Sequence, residues 1–204
     1  MDLLNILLVS LIGYLIGSIS FSYLIAKKIK KVDIRTQGSG NAGATNTLRV
    51  LGWGPAIAVL LLDTFKGIAA VLISYWLGVE GWIAFFAGLF AIVGHNWPIY
   101  YGFRGGKGVA TTIGVFAILV FQPTLIAGII AILIIVFTRY VSLGSLLLMI
   151  LTPILTALFG NYDSSYILLA VVISLLSIWR HRTNIIRLVK GTENKIGQRK
   201  EVSG

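Results

Sequence analysis

The sequence contains no cysteine, which excludes disulfides, thiolate catalysis and cysteine-ligated metal sites. It also has few acidic residues, with 7 Asp and Glu against 17 Lys and Arg, and its formal net charge is +10. Only 12% of the residues are charged while 57% are hydrophobic, and the mean hydropathy is +0.91. A soluble domain cannot bury that much apolar surface, whereas a bilayer accommodates it. The composition therefore predicts an integral membrane protein.

Apolar runs of helical length recur along the whole chain. The first run is longer than a signal peptide and lacks a basic leader, so we interpret it as a retained span. The region 109–138 fits either one long helix kinked at Pro123 or two short helices that turn at residues 121–123. The predicted spans are 3–26, 55–78, 82–97, 109–121, 123–138, 142–160 and 164–179.

The distribution of basic residues decides the number of spans, because cytoplasmic loops carry an excess of Lys and Arg. With seven spans, the loops on the opposite side receive Asp2, Glu80 and Asp163 and no cation. With six spans, the basic C-terminal tail would move to the outside. We therefore predict an all-α bundle of seven transmembrane helices in a single domain, residues 1–204, with the N-terminus outside and the C-terminus in the cytosol.

Some of these spans are short for a bilayer. A helix over 109–121 would be about 20 Å long, whereas the hydrocarbon core is about 30 Å thick. We expect this helix and its neighbours at 82–97 and 123–138 to be tilted or packed against longer helices.

The first polar cluster predicted on the cytosolic side is RTQGSGNAGATNTLRVLG, residues 35–52. Its glycines permit tight turns and close approach of the backbone to a ligand. Ser39, Asn41 and Asn46 supply hydrogen-bonding groups, and Arg49 supplies a planar cation that suits two phosphate oxygens. An interhelical loop with snorkelling cations is the alternative interpretation.

The second cluster is GHNWPIYYGFRGGKGVAT, residues 94–111. Its glycines can turn backbone N–H groups into one concavity, a nest that binds anions. The loop leads into a helix predicted near Val109, whose N-terminus attracts anions, and Lys107 adds a full charge. It is not a Walker A loop, because glycine rather than Ser or Thr follows the lysine. A simple turn is the alternative.

The third cluster is WRHRTNIIRLVKGTENK, residues 179–195. On a helix, His181 and Asn184 share a face and Arg187 lies close to it. A basic extension on anionic lipid would explain the cations. It would not explain the histidine and the asparagine, which add no charge at neutral pH.

Two charges fall inside the predicted span 55–78. Asp63 and Lys66 are three residues apart, so they can pair on one helical face. Intramembrane charges suggest a functional role by default, and a structural ion pair that orients helices is the equal alternative. The role of His95, in the second cluster, is either functional or that of an interfacial histidine, and the sequence leaves both interpretations open.

Several reaction classes are excluded. A metal-dependent phosphotransferase needs clustered carboxylates, and the sequence offers none on the cytosolic side. The G-x-S-x-G elbow of serine hydrolases is missing, and neither histidine has the Asp five residues later that common glycerolipid acyltransferases require. A cationic, glycine-rich site is left, which suits an anionic substrate and chemistry driven by positioning and charge stabilisation.

The segments GSGNAGATN (38–46), GHNWPIYYGFRGGKGVAT (94–111) and RHRTNIIRLVKGTE (180–193) resemble the three motifs of the PlsY family. These are bacterial acyl-phosphate-dependent glycerol-3-phosphate acyltransferases. The motifs occur in the family's order, and the resemblance covers nearly the whole chain. It implies a seven-helix bundle with the motifs on the cytosolic side, as the charge distribution also predicts. Residues 194–204 lie beyond the resemblance, and we expect them to form a mobile tail.

The resemblance implies the transfer of a fatty acyl group from acyl phosphate to the 1-hydroxyl of sn-glycerol 3-phosphate. The products would be lysophosphatidic acid and inorganic phosphate, in the first acylation of phospholipid biosynthesis. No cofactor or metal is implied, and acyl-CoA is not a direct donor. The implied location is the bacterial cytoplasmic (inner) membrane, with the active site facing the cytosol. The expected partners are the two substrates and membrane lipid, not nucleic acid, and the protein should act as a monomer.

The resemblance also implies roles for individual residues. The glycine-rich segment 105–108 should hold the donor phosphate, and Glu193 should hold the tail closed. The residues expected to take part in catalysis and line the glycerol-3-phosphate pocket are Ser39, Arg49, Lys107, His181 and Asn184. The further residues expected to bind or support substrate are Asn41, Asn46, Gly105, Gly106, Gly108, Ser142, Arg187 and Glu193.

Two questions stay open at this point. The base that takes the hydroxyl proton is either His181 or a phosphate oxygen of the donor, and we favour the phosphate. The main alternative function is an organic-phosphate transporter, which should show repeated halves and polar groups at mid-bilayer. Nucleic-acid binding would also suit the net charge of +10, but the topology already explains the cations.

Overall fold

The structure is a computed structural model that describes residues 3–197. These residues form α-helices joined by short loops and contain no β-strand, which confirms the all-α prediction for this part of the chain. Asp2 and the last residues of the basic tail lie outside the described residues. The helices are α1 (Leu3–Gly17), α2 (Phe21–Lys30), α3 (Ala44–Leu51), α4 (Trp53–Trp76), α5 (Ala84–Asn96), α6 (Val109–Leu119), α7 (Phe121–Thr138), α8 (Val141–Phe159), α9 (Ser164–Arg180) and α10 (Arg182–Val189).

Five helical stretches are long and apolar enough to cross a membrane. A sixth meets the same criterion if α9 and α10, which bend by 62°, are counted together, and α6 is shorter than the rest. Length and composition therefore support five or six crossings of the described residues, and the predicted count of seven stays a prediction. The five stretches are Leu3–Lys30, Trp53–Trp76, Gly81–Tyr101, Phe121–Thr138 and Val141–Phe159.

The first predicted span, 3–26, differs from the structure because its helix is interrupted. α1 ends at Gly17 and α2 begins at Phe21, so the backbone groups between them lack regular helical partners. The Ile19 carbonyl oxygen in this break accepts a hydrogen bond from the Lys66 ammonium group of α4 at 2.8 Å. A side chain from a neighbouring helix thus satisfies the interrupted backbone, as a break within a membrane requires.

The region 109–138 forms two helices rather than one kinked helix. α6 ends at Leu119 and α7 begins at Phe121, with Val120 between them at φ −143° and ψ 61°. Pro123 lies in the first turn of α7, where its missing N–H is not needed for a helical hydrogen bond. The two-helix interpretation is therefore the correct one, and the turn lies slightly earlier than predicted.

The short helix α6 lies at the centre of the bundle. Its Phe116 side chain is fully buried in a core shared with α4, α5 and α9. Two glycines bring α6 and α4 into backbone contact, since a Cβ on Gly67 would collide with the Thr111 carbonyl and a Cβ on Gly114 with the Thr64 carbonyl. This packing accounts for a helix only about 16 Å long inside a membrane protein, and it fixes the N-terminus of α6.

The start of the predicted mobile tail is held in place. The Arg139 guanidinium group, between α7 and α8, donates to the Ile196 carbonyl oxygen, and the Ile196 N–H donates to the Arg139 carbonyl oxygen at 2.9 Å. Residues 194–197 therefore pack against the α7–α8 junction. The rest of the tail lies outside the described residues, and its mobility stays a prediction.

Candidate active site

A cavity of about 150 Å³ lies where the starts of α3, α6 and α8 meet α10 and the segment that follows it. It brings together residues from all three predicted motifs, of which the first and the last lie more than a hundred positions apart in the sequence. Only Gly105 and Gly106, among the predicted site residues, do not line it. Those that do are Ser39, Asn41, Asn46, Arg49, Lys107, Gly108, Ser142, His181, Asn184, Arg187 and Glu193.

The cavity is electropositive because three helix N-termini point at it. The first residues of α3, α6 and α8, which are Ala44, Val109 and Val141, all line the cavity, and no side chain caps any of these helices. Uncapped N-termini present free N–H groups and partial positive charge, which favour a bound anion. Arg49 and Lys107 add full charges, and neither forms an ion pair within residues 3–197.

The Lys107 side chain is held by Asn184, whose Oδ1 atom accepts a hydrogen bond from the ammonium group. Burial lowers the pKa of Lys107 to about 8, and the nearby guanidinium groups of Arg187 and Arg49 act in the same direction against the Glu193 carboxylate. Lys107 is therefore a cation at neutral pH, but one that loses its charge within the alkaline range that enzymes tolerate.

The Glu193 carboxylate joins α8, α10 and the tail. Its Oε1 atom accepts hydrogen bonds from the Ser142 hydroxyl at 3.0 Å and the Asn184 amide at 2.7 Å, and its Oε2 atom accepts one from Arg187 Nε at 2.7 Å. Burial opposes the charge, but these donors outweigh it and hold the pKa of Glu193 below its usual range. The arrangement fits the predicted role of Glu193 in closing the tail, and it occupies hydrogen-bonding groups of Ser142 and Arg187.

His181 lies at the bend between α9 and α10 and is almost fully buried. Its Nδ1 atom is 2.8 Å from the Ser177 carbonyl oxygen, which can only accept, so Nδ1 carries the proton. In the neutral ring, Nε2 is then the nitrogen with a free lone pair. Burial and the Lys107 ammonium group lower the pKa of His181 to about 4, so the ring is neutral at physiological pH.

Asn46 lines the cavity, but its side-chain amide forms its hydrogen bonds with the loop before α3. Its Nδ2 atom donates to the carbonyl oxygens of Ile34 and Gln37, at 3.1 and 3.0 Å, and its Oδ1 atom accepts from the Ser39 N–H at 2.8 Å. The side chain therefore fixes the position of Ser39. This agrees with a supporting role for Asn46 and not with direct contact to a ligand.

The predicted anion nest is smaller than the segment 105–108. The Gly106 N–H is not free, because it donates to the His95 carbonyl oxygen at 3.0 Å. A Cβ on Gly105 would collide with the same carbonyl, and a Cβ on Gly106 with the His95 imidazole. The two glycines thus let the loop lie against α5, while Lys107 and Gly108 face the cavity.

Arg180 is a residue whose role the sequence analysis missed. Its guanidinium group donates to the Gly106 carbonyl oxygen from Nη2 at 2.5 Å and Nε at 3.2 Å, and it lies 5.0 Å from the centre of the Trp97 ring. Only its position beside His181 at the end of an apolar helix could have indicated it. Ser145 and Asn194 also line the cavity, and the sequence analysis did not predict either residue. The position of Ser145, three residues after Ser142 on the same helical face, is a signal that could have indicated it.

The predicted pairing of Asp63 with Lys66 is confirmed. Lys66 Nζ lies 2.9 Å from Asp63 Oδ1 in the middle of α4, and both residues are buried. His95 joins them, with its Nδ1 atom 2.9 Å from Lys66 Nζ and 3.6 Å from Asp63 Oδ1. Asp63 and His95 also line the cavity, so this cluster forms part of its floor.

Comparison with known proteins places the chain among membrane acyltransferases. The family model described as glycerol-3-phosphate acyltransferase matches residues 7–191. The glycerol-3-phosphate acyltransferase of Shouchella clausii is 64% identical, with 93% of this chain and 95% of the relative covered. That of Halalkalibacterium halodurans is 62% identical, with 94% and 95% covered.

Two solved structures of PlsY (YgiH), an integral membrane glycerol 3-phosphate acyltransferase, resemble the whole chain. The glycerol 3-phosphate form is 39% identical and superposes with a TM-score of 0.87 over 94% of this chain and 96% of that one. The lysophosphatidic acid form is 38% identical, with a TM-score of 0.84 over 94% and 95%.

Proposed function

This chain belongs to the PlsY family of glycerol-3-phosphate acyltransferases, and we propose that it moves a fatty acyl group from acyl phosphate to the 1-hydroxyl of sn-glycerol 3-phosphate. The products are lysophosphatidic acid and inorganic phosphate, and the reaction uses no cofactor. One observation carries the proposal: Arg49, Lys107 and His181, which come from three distant motifs, line a single cavity at three helix N-termini. The relatives solved in glycerol 3-phosphate and lysophosphatidic acid forms support the choice of acceptor and product.

The charges of the cavity suit two phosphate groups. Of the Lys and Arg residues that line the cavity, Arg187 is paired with Glu193, whereas Arg49 and Lys107 form no ion pair within residues 3–197, and each can neutralise part of a phosphate dianion. The N–H groups at the start of α6, after Gly108, offer a second kind of anion site. We assign the donor phosphate to the start of α6 and the acceptor phosphate to the side of Arg49 and Ser39, with Lys107 between the two and in contact with both.

The reaction needs no covalent enzyme intermediate, because acyl phosphate is a mixed anhydride with a good leaving group. The 1-hydroxyl oxygen of the acceptor attacks the acyl carbon, and a new ester bond forms. The bond between the acyl carbon and the phosphate oxygen then breaks, and its electron pair leaves with the phosphate. Lys107 and the α6 N-terminus stabilise the charge that grows on this leaving group.

The hydroxyl proton ends on the departing phosphate in our proposal. His181 presents Nε2 as an acceptor and can orient the hydroxyl by a hydrogen bond. Its pKa of about 4 makes it a weak base, whereas the departing phosphate gains negative charge, and therefore basicity, as its bond to the acyl carbon breaks. The stronger base is therefore the substrate, and His181 acts in positioning.

The remaining polar residues hold these groups in place. Asn184 links the Lys107 ammonium group to Glu193, and Glu193 in turn receives Ser142 and Arg187. Such a network restricts the lysine side chain to one direction, which is what phosphate positioning demands.

We propose a seven-helix arrangement in the bacterial inner membrane, with the N-terminus outside and the cavity open to the cytosol. The charge distribution supports it, since the motif loops carry the basic residues. The acyl chain would lie between helices in the bilayer, and the monomer contains every residue that the mechanism uses.

The test is phosphate release by the purified protein in lipid, with palmitoyl phosphate and with or without sn-glycerol 3-phosphate. We expect release that requires the acceptor, yields lysophosphatidic acid and collapses in Lys107→Ala, while palmitoyl-CoA gives no product. Release without the acceptor would make the protein a hydrolase. Binding of sn-glycerol 3-phosphate without any acyl transfer would favour the organic-phosphate transporter.

A further inference from the structure

We propose that Asp63, Lys66 and His95 form a positioning cluster that sets the glycine-rich loop 105–108 for catalysis. This role rests on the proposed acyl transfer, since the loop carries Lys107. The mechanism above uses none of the three side chains, although all are buried beside the cavity. Buried charges in the middle of a span are costly to keep, which calls for a reason beyond the orientation of two helices.

Lys66 is the centre of the cluster. Its ammonium group forms hydrogen bonds with His95 Nδ1 at 2.9 Å and with the Ile19 carbonyl oxygen at 2.8 Å, and it forms an ion pair with Asp63 Oδ1 at 2.9 Å. These partners belong to α4, α5 and the break between α1 and α2. One side chain therefore ties three parts of the bundle together.

The ammonium group also determines the state of the His95 ring. Lys66 can only donate, so His95 Nδ1 must accept and the ring proton lies on Nε2. That side of the ring lies against Gly106, where even a methyl group would collide with Nε2. Lys66 thus fixes the orientation of an imidazole on which the loop rests.

The loop is held at the peptide groups next to Lys107. The Gly106 N–H donates to the His95 carbonyl oxygen at 3.0 Å, and the Gly106 carbonyl oxygen accepts from Arg180. Gly106 is therefore fixed on one side by the residue that the cluster orients and on the other by α9. The direction of Lys107 and the start of α6 depend on this placement, so a shift of the His95 ring shifts the phosphate site.

The experiment separates the effect on the fold from the effect on the loop. Asp63→Leu and Lys66→Met each leave a buried charge unpaired, and we expect each to lower the melting temperature by about 10 °C. The double variant Asp63→Leu/Lys66→Met has no unpaired charge and should regain most of this loss, although the Ile19 carbonyl oxygen still lacks its donor. Its kcat/KM for sn-glycerol 3-phosphate should nevertheless stay lower by tenfold or more, because His95 has lost its donor.

Ser74→Ala is the matched control, because it removes a buried hydrogen bond from the far end of α4, where Ser74 donates to the Val79 carbonyl oxygen at 2.8 Å. It should lower the melting temperature and leave KM unchanged. A second pair tests the ring in the presence of the ion pair. His95→Asn keeps an acceptor oxygen for Lys66 and should retain more activity than His95→Leu by roughly tenfold.

Recovery of both stability and kcat/KM in the double variant would overturn the inference, as would equal activity in His95→Asn and His95→Leu. Calorimetric binding of sn-glycerol 3-phosphate is measured on the same proteins, where the double variant should bind at least tenfold more weakly. If the wild type binds this ligand but does not use acyl phosphate, the proposed reaction fails and the binding comparison still decides the role of the cluster. A wild type that neither binds nor reacts overturns both proposals.

Discussion

The Nδ1 atom of His181 donates a hydrogen bond to the Ser177 carbonyl oxygen one helical turn earlier, over 2.8 Å. Because Nδ1 carries the proton, Nε2 is available to accept one from a substrate hydroxyl. The same bond ties the ring to the end of α9, so the ring is positioned before any ligand arrives. The role of His181 can therefore be tested separately from its location.

His181→Asn should lower kcat by about tenfold to a hundredfold. Asparagine retains a donor for the Ser177 carbonyl but no acceptor at the place of Nε2, so orientation of the hydroxyl is lost while the phosphate still takes the proton. Loss of a general base typically costs between about 10² and 10⁴ in rate. A loss beyond about a thousandfold, with an acidic limb of the pH profile that disappears in the variant, would make His181 the base. Phosphate release between pH 3.5 and 9 gives both readouts, because this range includes the His181 pKa of about 4.

Activity should fall as the pH rises through about 8, where Lys107 loses its proton. The free enzyme carries this pKa, so kcat/KM for sn-glycerol 3-phosphate should show the descending limb. A bound phosphate dianion stabilises the ammonium group, so the limb of kcat should lie at higher pH. The check is phosphate release at saturating and at low acceptor concentration from pH 6.5 to 10. A kcat/KM that is flat across this range would contradict the role of the Lys107 charge.

The His181 pKa also predicts how stability depends on pH. Its folded-state value of about 4 lies below the ordinary value of 6.5, so only the unfolded chain takes up the proton between these pH values. The stabilisation is complete above pH 6.5 and is lost as the pH falls towards 4, by up to about 3 kcal/mol. The melting temperature of the wild type should thus fall more steeply between pH 7 and 4.5 than that of His181→Asn. Parallel curves would show that the ring titrates normally.

Glu193→Gln should destabilise the tail and weaken the site together. The new amide group would meet a donor, Arg187 Nε, where a carboxylate oxygen now accepts at 2.7 Å. Loss of a hydrogen bond to a charged group costs about 2 kcal/mol, and Asn184 would no longer be held against Lys107. We expect a lower melting temperature and a raised KM for sn-glycerol 3-phosphate. Glu80→Gln is the control, because Glu80 lies in the loop before α5 and does not line the cavity. Unchanged kinetics in Glu193→Gln would show that the network is dispensable.

Gly106→Ala should abolish most activity because the added methyl group has no space between the His95 ring and the Ala42 carbonyl oxygen. The loop would have to move away from α5, and a displacement of about 1 Å can cost a hundredfold in rate. Gly128→Ala is the control, since a Cβ there meets nothing within 4 Å. The measurement is kcat/KM of both variants, in preparations that have the same folded fraction. Similar activity of the two would contradict the packing role assigned to Gly106.

The convergence of the three motifs could be predicted from the sequence because it depends on two local properties. The positive-inside rule places the basic loops on one side. Small polar residues between apolar runs indicate loops that bind a ligand. Ser39, Arg49, Lys107 and His181 do line one cavity. The break in the first span could not be predicted, because the partner of the Ile19 carbonyl is a lysine 47 positions away in the sequence.

The same limit applies to the glycine-rich loop. Its composition indicates a tight backbone, but not which N–H groups are used within the protein. The Gly106 N–H goes to His95 and the Gly106 carbonyl to Arg180, and both partners are fixed only by the packing of α5, α6 and α9. The seven crossings stay a prediction, because the sequence already indicates a short helix over 109–121 and α6 is shorter still, at 11 residues.

The unpaired charges of Arg49 and Lys107 at three helix N-termini have a consequence for the choice of acceptor. These like charges repel one another, the Glu193 carboxylate acts in the opposite direction, and a phosphate group brings further compensating charge. Free glycerol has the same hydroxyl to offer but brings no charge, so it gains none of this stabilisation. In the proposed reaction, discrimination against neutral polyols would then follow from the charges of the cavity and would need no group that recognises and rejects them.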